Sequence, residues 1–539
     1  MAHIQKDDAA RHDAEQQVDM NEKTGVQVVT EKQPSSEVSS GPPSDGPAPV
    51  PLSWKLASVL LVTLICFGSK WSSGITAAMK TTMKKELKIN NTQFALLEAS
   101  EDFMTTCLIL VSGLVTDRIG GARAILYGNA IYSVGSILVA GAAQSRSYKF
   151  MIVGRIISAL GDISTQIAQY KVFSSWFAPG NGFASTLGLE LGIGKIGAFA
   201  GKSSSNIIAK KTGNFAWVFW VAVFMNLFTN VMTGVFYWFT KVADRKYAGV
   251  NDPATGEKLA EKSKKLEIKK VLQMPWPFWC VLLFSLFETS AAIVFSQNAT
   301  ELAEQRFKTD SIAAGWYSSL SQYAGFFIVP ILGIFIDICG HRVSTMVFCG
   351  TGVFIAMLLV TFSAGKEGAA ASFGVFAFAL SFGPTSIIDS IRTSMWDSNY
   401  FGTAYALKIM MNNSMNIIVR VITGRIQDAD NNSYDRVTIV YTVLAGCSVA
   451  VSLVLILLSW RSIDLRQLQW GRKKRITRGD LINERKARFW GRKERLTRRF
   501  PRCVSLFSAF SHSEGGLPTF GVWRLGIIRA RCRMDEEMS

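Results

Sequence analysis

The chain has 539 residues, 49% of them apolar, yet it carries a formal charge of +18. These facts coexist only if charge and apolarity are segregated along the chain, and a nucleic-acid protein, the other usual reading of strong basic charge, would leave the apolar segments no soluble core to share. The eight cysteines show neither CxxC nor metal spacing, which argues against a disulfide framework and a zinc site.

In chain order, residues 1–52 are polar and rich in Pro, Ser and Gly. They lack the early apolar region of a signal peptide and read as a disordered cytosolic N-tail. Apolar stretches follow near 54–79, 93–116, 124–144, 149–176, 183–209, 215–240, 276–297, 312–336, 343–364, 369–393, 402–424 and 437–460. Each is long enough to cross ~30 Å of hydrocarbon as a helix of ~20 residues. The expected fold is an all-α membrane protein of twelve transmembrane helices. Residues 53–240 form one six-helix half, 241–273 a charged cytosolic linker and 274–460 a second half. Residues 461–539 form a basic cytosolic C-tail.

Spans three, six, nine and twelve carry no charge in their interiors, and most of the others do. Charge at membrane depth is costly unless it meets a partner or a cavity. Every third helix is therefore expected to face lipid, and the rest to line a polar cavity. That period fits triplet repeats within each half. Basic residues in the linker and C-tail put both termini in the cytosol. Lys80, Lys84, Lys85 and Lys88 oppose this, since they would lie on the far side. The far side also receives sequons at Asn90, Asn298 and Asn431. In the tail, Trp470-Gly-Arg-Lys-Lys-Arg-Ile-Thr-Arg478 and Trp490-Gly-Arg-Lys-Glu-Arg-Leu-Thr-Arg498 read either as a basic segment on anionic lipid or as a solvated tail.

A loop signature occurs twice. Gly113-Leu-Val-Thr-Asp117-Arg118-Ile-Gly120-Gly-Ala-Arg123 follows span two, and Gly333-Ile-Phe-Ile-Asp337-Ile-Cys-Gly340-His-Arg342 follows span eight. In each, a carboxylate at a helix end can accept from donors on neighbouring helix ends, and the glycines permit close backbone approach. Such a lattice favours one state and must break for the other to form. The second copy is the weaker, because Ile338 stands where Arg118 stands in the first. Arg155, Asp389, Arg392 and Lys408 join this conformational set, the last three as gate pairs near the cytosolic end.

Lys70 and Glu101 lie at similar depth at ~1.5 Å rise per residue. Glu98, Glu101 and Asp102 share a helical face, and Asp162 and Lys195 sit mid-span on adjacent helices four and five. With Glu190 and Glu288 they are candidates for a substrate or proton site; the alternative is a structural ion pair. Gly197-Ala-Phe-Ala-Gly201-Lys202-Ser203 misses a phosphate-binding loop, since Ile196 holds the first glycine's place and no strand precedes it. No nucleophile–base set or metal cluster stands out, so neither an enzyme nor a cofactor is expected.

The duplicated turn and three further stretches resemble the major facilitator superfamily, and within it the lysosomal dipeptide transporter branch. The stretches are Asn91-Thr-Gln-Phe-Ala-Leu-Leu97; Gly154-Arg155 through Ala168-Gln169 and Trp176-Phe177 to Leu189-Glu-Leu-Gly-Ile-Gly-Lys195-Ile-Gly197; and Phe401-Gly-Thr-Ala-Tyr405. The resemblance implies a transporter of small polar organic solutes, dipeptides among them, working by alternating access as a uniporter or with protons. It implies a lysosomal or vacuolar membrane, with the plasma membrane as alternative, and raises a glycosylated accessory subunit as a partner besides lipid and solute. Lys195 matches a basic position, usually arginine, suited to a peptide carboxylate; lysine keeps the charge without the two-pronged geometry. The branch's helix-four glutamate aligns with Ile163, and its helix-two aromatics with Glu98 and Glu101. An acid moved from helix four to helix two would predict a small zwitterionic or anionic metabolite. The competing readings are a proton-coupled carrier of another organic anion or nutrient, and a non-transporting sensor or scaffold.

Overall fold

The computed structural model describes residues 48–49, 51–177, 182–248, 274–363, 366–395 and 401–488. The N-tail to residue 47, most of the linker, and the second tryptophan motif at Trp490 lie outside the described residues. The helices are α1 (Leu52–Ala78), α2 (Lys80–Leu87), α3 (Asn91–Ile119), α4 (Gly121–Gln144), α5 (Tyr148–Trp176), α6 (Phe183–Thr212), α7 (Ala216–Lys246), α8 (Trp276–Phe307), α9 (Ser311–Cys339), α10 (Arg342–Phe362), α11 (Lys366–Leu380), α12 (Gly383–Ser394), α13 (Phe401–Ala429), α14 (Asp435–Arg461), α15 (Ile463–Arg466) and α16 (Arg472–Thr477). A two-residue parallel pairing of Ala48–Pro49 with Tyr247–Ala248 is the strand structure among the described residues.

Nine helices among the described residues are long and apolar enough to cross a bilayer, with α11 and α12 counted as one. Helices α3, α6 and α13 are equally long but carry the interior charges expected of cavity walls. Large apolar side chains stand exposed along α4, α7, α10 and α14, including Ile131, Phe224, Phe348 and Val443, but equally along α9, including Phe327 and Ile331, so the period of three does not single out the lipid-facing helices. Their exposed faces suit lipid.

Two expected features take a different form. The lysine-bearing loop after span one is a helix, α2, because Met79, Met83 and Leu87 recur every four residues and bury one face. Span ten is broken between α11 and α12. Pro384 has no N–H to continue the ladder, and Ser381 and Phe382 donate instead to Phe378 and Ala379 in a tightened turn.

Helix α6 packs along α1 on one side and α9 on the other, while α3 lies along α13. The glycines of α6 permit this. A Cβ on Gly188 would stand 2.6 Å from the Val329 carbonyl oxygen of α9. Gly188→Val is therefore expected to force the two helices apart and destabilise the protein by about 1–3 kcal/mol. Thermal melting in detergent checks it, and an unchanged melting temperature would show that the contact is not tight.

Candidate functional site

Helices α1, α3, α5 and α13, with contributions from α4, α7 and α8, line a cavity of about 210 Å³. Its wall carries Lys70, Arg155 and Arg420 against Glu98, Glu101, Asp102 and Asp162, with Ser69, Ser72, Ser73, Tyr132, Ser158 and Gln297 between them. Most of these charges come from the helices too polar to count as simple spans. Arg155 Nη1 donates to Glu101 Oε2 at 3.0 Å, and its Nη2 lies 3.6 Å from Glu98 Oε1 and donates to the Thr76 hydroxyl. Arg420 pairs with Asp102 at 2.6 Å and donates to the Glu98 carbonyl at 2.9 Å. Gln297 Nε2 donates to Glu98 Oε2 at 2.8 Å.

Behind Lys70 lies a smaller chamber of about 10 Å³, lined by Cys66, Gln169 and Glu190 and sharing Ser69, Lys70, Tyr132 and Asp162 with the main cavity. Glu190 accepts from Cys66 Sγ at 3.3 Å and from the Tyr170 hydroxyl at 3.3 Å. Lys70 has Asp162 and Glu190 as its opposite-charge neighbours. Its stem rests on Gly194 and Gly197 of α6.

The expected pairings are thus redistributed. Asp162 stands with Lys70, not Lys195, and Glu101 stands with Arg155, not Lys70. Axial depth places groups on one level but does not decide which way each helix is turned. Lys195 lies outside the cavity lining; its stem covers Gly325 of α9, and Glu288 is its opposite-charge neighbour. Glu288 is buried at the α11–α12 break, 2.7 Å from where a Cβ on Gly383 would stand, and accepts from Cys349 Sγ at 3.6 Å. Lys408, expected at a gate, has Glu288 as its opposite-charge neighbour. Arg155, also expected at a gate, lines the cavity.

Both ends of the helix bundle are spanned by bonds between helices. At one end, Lys80 and Lys84 converge on Glu301 of α8, with Lys80 Nζ 2.7 Å from Glu301 Oε2. Tyr434 and Gln427 donate to the same carboxylate at 2.6 and 3.2 Å. Asp428 of α13 receives the Asn91 and Thr92 N–H groups of α3 at 3.1 and 2.9 Å. The sequence reading missed this seam. Its signal was an i, i+4 lysine pair after span one and the glutamates at 301 and 304 just after span seven. Of the four lysines that opposed the orientation rule, Lys80 and Lys84 are paired, while Lys85 and Lys88 stand exposed. Asn298 is buried and bonded to Lys80 and Tyr441, so its sequon is withdrawn as a glycosylation site; Asn90 and Asn431 remain exposed.

At the other end, the second copy of the repeated turn carries the bonds. Asp337 accepts the Ser185 N–H at 2.7 Å, the Ser185 hydroxyl at 2.5 Å and the Ala184 N–H at 3.4 Å, all from the first turn of α6. Gly333 meets Ser185 closely, and Gly340 holds φ +79°. Arg342 pairs with Asp389 of α12, both fully buried. The guanidinium of Arg392 stacks 5.6 Å from the Phe401 ring. In the first copy, Gly120 holds φ +86°, Gly113 has open space beside it, and Arg118 and Arg123 are exposed. The side chain of Asp117 lies outside the described residues.

The sequence model of the Major Facilitator Superfamily matches residues 59–420. Among curated proteins, the chain is 21% identical to the lysosomal dipeptide transporter MFSD1 of Mus musculus over 71% of this chain and 82% of that protein. The Homo sapiens protein of the same name is 22% identical over 71% of this chain and 82% of its own length. That of Danio rerio is 27% identical over 26% of this chain and 32% of its own length. With the family match covering most of the membrane-length helices, this chain belongs to the Major Facilitator Superfamily, a family of transmembrane transporters.

Proposed function

We propose that the chain is a secondary transporter of a small zwitterionic solute, with dipeptides as the leading candidates. It works by alternating access through twelve spans in two six-helix halves, residues 53–240 and 274–460. Residues 1–52, 241–273 and 461–539 are then the N-tail, linker and C-tail, with both termini cytosolic. The observation that carries this reading is a cavity with charges of both signs on its wall, in a bundle whose two ends are tied by bonds between helices of opposite halves. A zwitterion offers an ammonium to the Glu98, Glu101 and Asp162 side and a carboxylate to Lys70 or Arg155. A sensor or scaffold has little reason to hold such groups at membrane depth. The names of the relatives support dipeptides and a lysosomal or vacuolar membrane. A proton-coupled mode is the second reading, favoured by Glu190, a buried carboxylate in the chamber behind Lys70.

The test is thermal stabilisation of the purified protein by dipeptides, amino acids and simple carboxylates. A ligand that binds only the folded state raises its melting temperature. Dipeptides are expected to do so, and Lys70→Ala and Glu101→Gln to weaken binding at least about tenfold, ~1.4 kcal/mol. Lys195→Ala separates two sites: loss of binding would move the carboxylate contact to the Lys195–Glu288 cluster. A shift with carboxylates alone would replace the substrate, and transport unchanged in all three variants would overturn the site.

A further inference from the structure

The tail beyond α14 packs against the protein from Leu465 to Trp470, while Arg472–Lys474 and Ile476 are exposed. Leu465 and Leu468 are fully buried, and Trp470 is 5% exposed against the protein. The Trp470 ring is thus used in packing within the protein, with Arg478 stacked on it at 5.4 Å. The segment grips the α9–α10 turn through backbone groups. Arg342 Nη1 donates to the Leu468 and Trp470 carbonyls at 3.3 and 3.2 Å, and the His341 N–H donates to the Gln469 carbonyl at 3.3 Å. Gln469 Nε2 donates to the Ser344 hydroxyl at 3.0 Å. Gly340 and Gly471 face the partner backbone directly: a Cβ on Gly471 would stand 2.5 Å from the Ile338 carbonyl oxygen.

This turn therefore has two occupied sides. On one, Asp337 holds the first turn of α6; on the other, three residues later, the tail holds Gly340–Arg342. We propose that residues 463–478 act as a strap that fixes the turn where Asp337 can grip α6, so that this end of the bundle stays closed while the strap is docked and opens when it lifts. Two contacts on one rigid turn must be coupled: whatever loosens the strap raises the population in which the Asp337 bonds are broken. The strap needs no assumption about the solute.

Hydrogen exchange tests this on the full-length protein in detergent, read on a peptide covering residues 183–190. Leu465→Asp with Leu468→Asp puts two charges where the strap buries leucines and undocks it. Exchange in that peptide is expected to rise about fivefold or more, while a peptide covering 298–305 at the opposite end stays unchanged. Asp337→Asn is expected to raise α6 exchange by itself, and adding the strap variant to add little further, because both break one linked contact. Unchanged α6 exchange, an equal rise at both ends, or full additivity with Asp337→Asn would each overturn the strap. Gly471→Val, a smaller wedge between strap and turn, supplies the same readout if the double variant does not fold.

Discussion

Replacing Arg342 with methionine is expected to abolish recovery of folded protein. Arg342 and Asp389 have no exposed side-chain surface, so the variant leaves a carboxylate buried without its partner and removes the donor to two tail carbonyls. Breaking a buried pair from one side costs about 3–5 kcal/mol, a large share of the roughly 5–15 kcal/mol that holds an ordinary domain together. Asp389→Asn should be milder, since the amide oxygen still accepts from the guanidinium. The paired replacement Arg342→Met with Asp389→Leu should recover most of the loss, because hydrophobic substitutes for a buried ion pair are often neutral or stabilising. The yield of monodisperse protein after solubilisation and its melting temperature check all three. A well-folded Arg342→Met single variant would mean that water reaches Asp389.

The second large effect belongs to Glu301. Its carboxylate is 5% exposed and receives Lys80, Lys84, Tyr434 and Gln427. Glu301→Gln preserves shape and some hydrogen bonding but leaves two ammonium groups facing each other without the carboxylate they share, with only Asp428 and Glu304 as further counter-charges among the described residues. Lys80 is itself only 3% exposed and has few ways to find water. We expect about 3–5 kcal/mol less stabilisation of closure at this end, a shift of roughly two to four orders of magnitude toward opening at about 1.4 kcal/mol per factor of ten. Hydrogen exchange in peptides covering 298–305 and 427–434 should rise, and that of 183–190 should not. Because the pair is buried, added salt should screen it little. Replacing Lys80, Lys84 and Glu301 together with apolar residues should restore closure; continued opening in that triple variant would assign the effect to packing rather than charge.

These expectations rest on pairings that sequence periodicity reached only in part. Periodicity located the long helices, because an apolar run long enough to cross a bilayer has few other stable fates. Interior charges marked most of the spans between every third one as cavity walls; α1, α3, α5 and α13 do line the main cavity, whereas α6 adds only Glu190, in the smaller chamber. Glu98, Glu101, Asp162 and Lys70 were all legible as cavity residues, and they line one cavity. Their partners were not legible. Lys70 stands with Asp162 and Glu190, and Arg155 with Glu101, because glycines at 194 and 197 seat the Lys70 stem on α6 and turn its head inward. Only rotation about each helix axis decides that.

The repeated turn teaches a related point. The first copy is the fuller match in sequence, yet the second makes the bonds that hold α6 and the tail. Ile338 departs from the pattern at an exposed position, while the groups that bond, Asp337 and Arg342, are retained. Likewise Lys80 and Lys84 looked like an exception to a topological rule until their glutamate came to them from more than two hundred residues away.

By itself, then, the sequence determined which segments are apolar enough to leave water, which carry charge into that environment, and that two turns share a design. Those are local properties, set by transfer free energy and helical spacing. Tertiary structure alone decided which charges neutralise one another and that the tail docks on the α9–α10 turn. Each depends on groups distant in the chain meeting at bonding distance, and no periodicity records that.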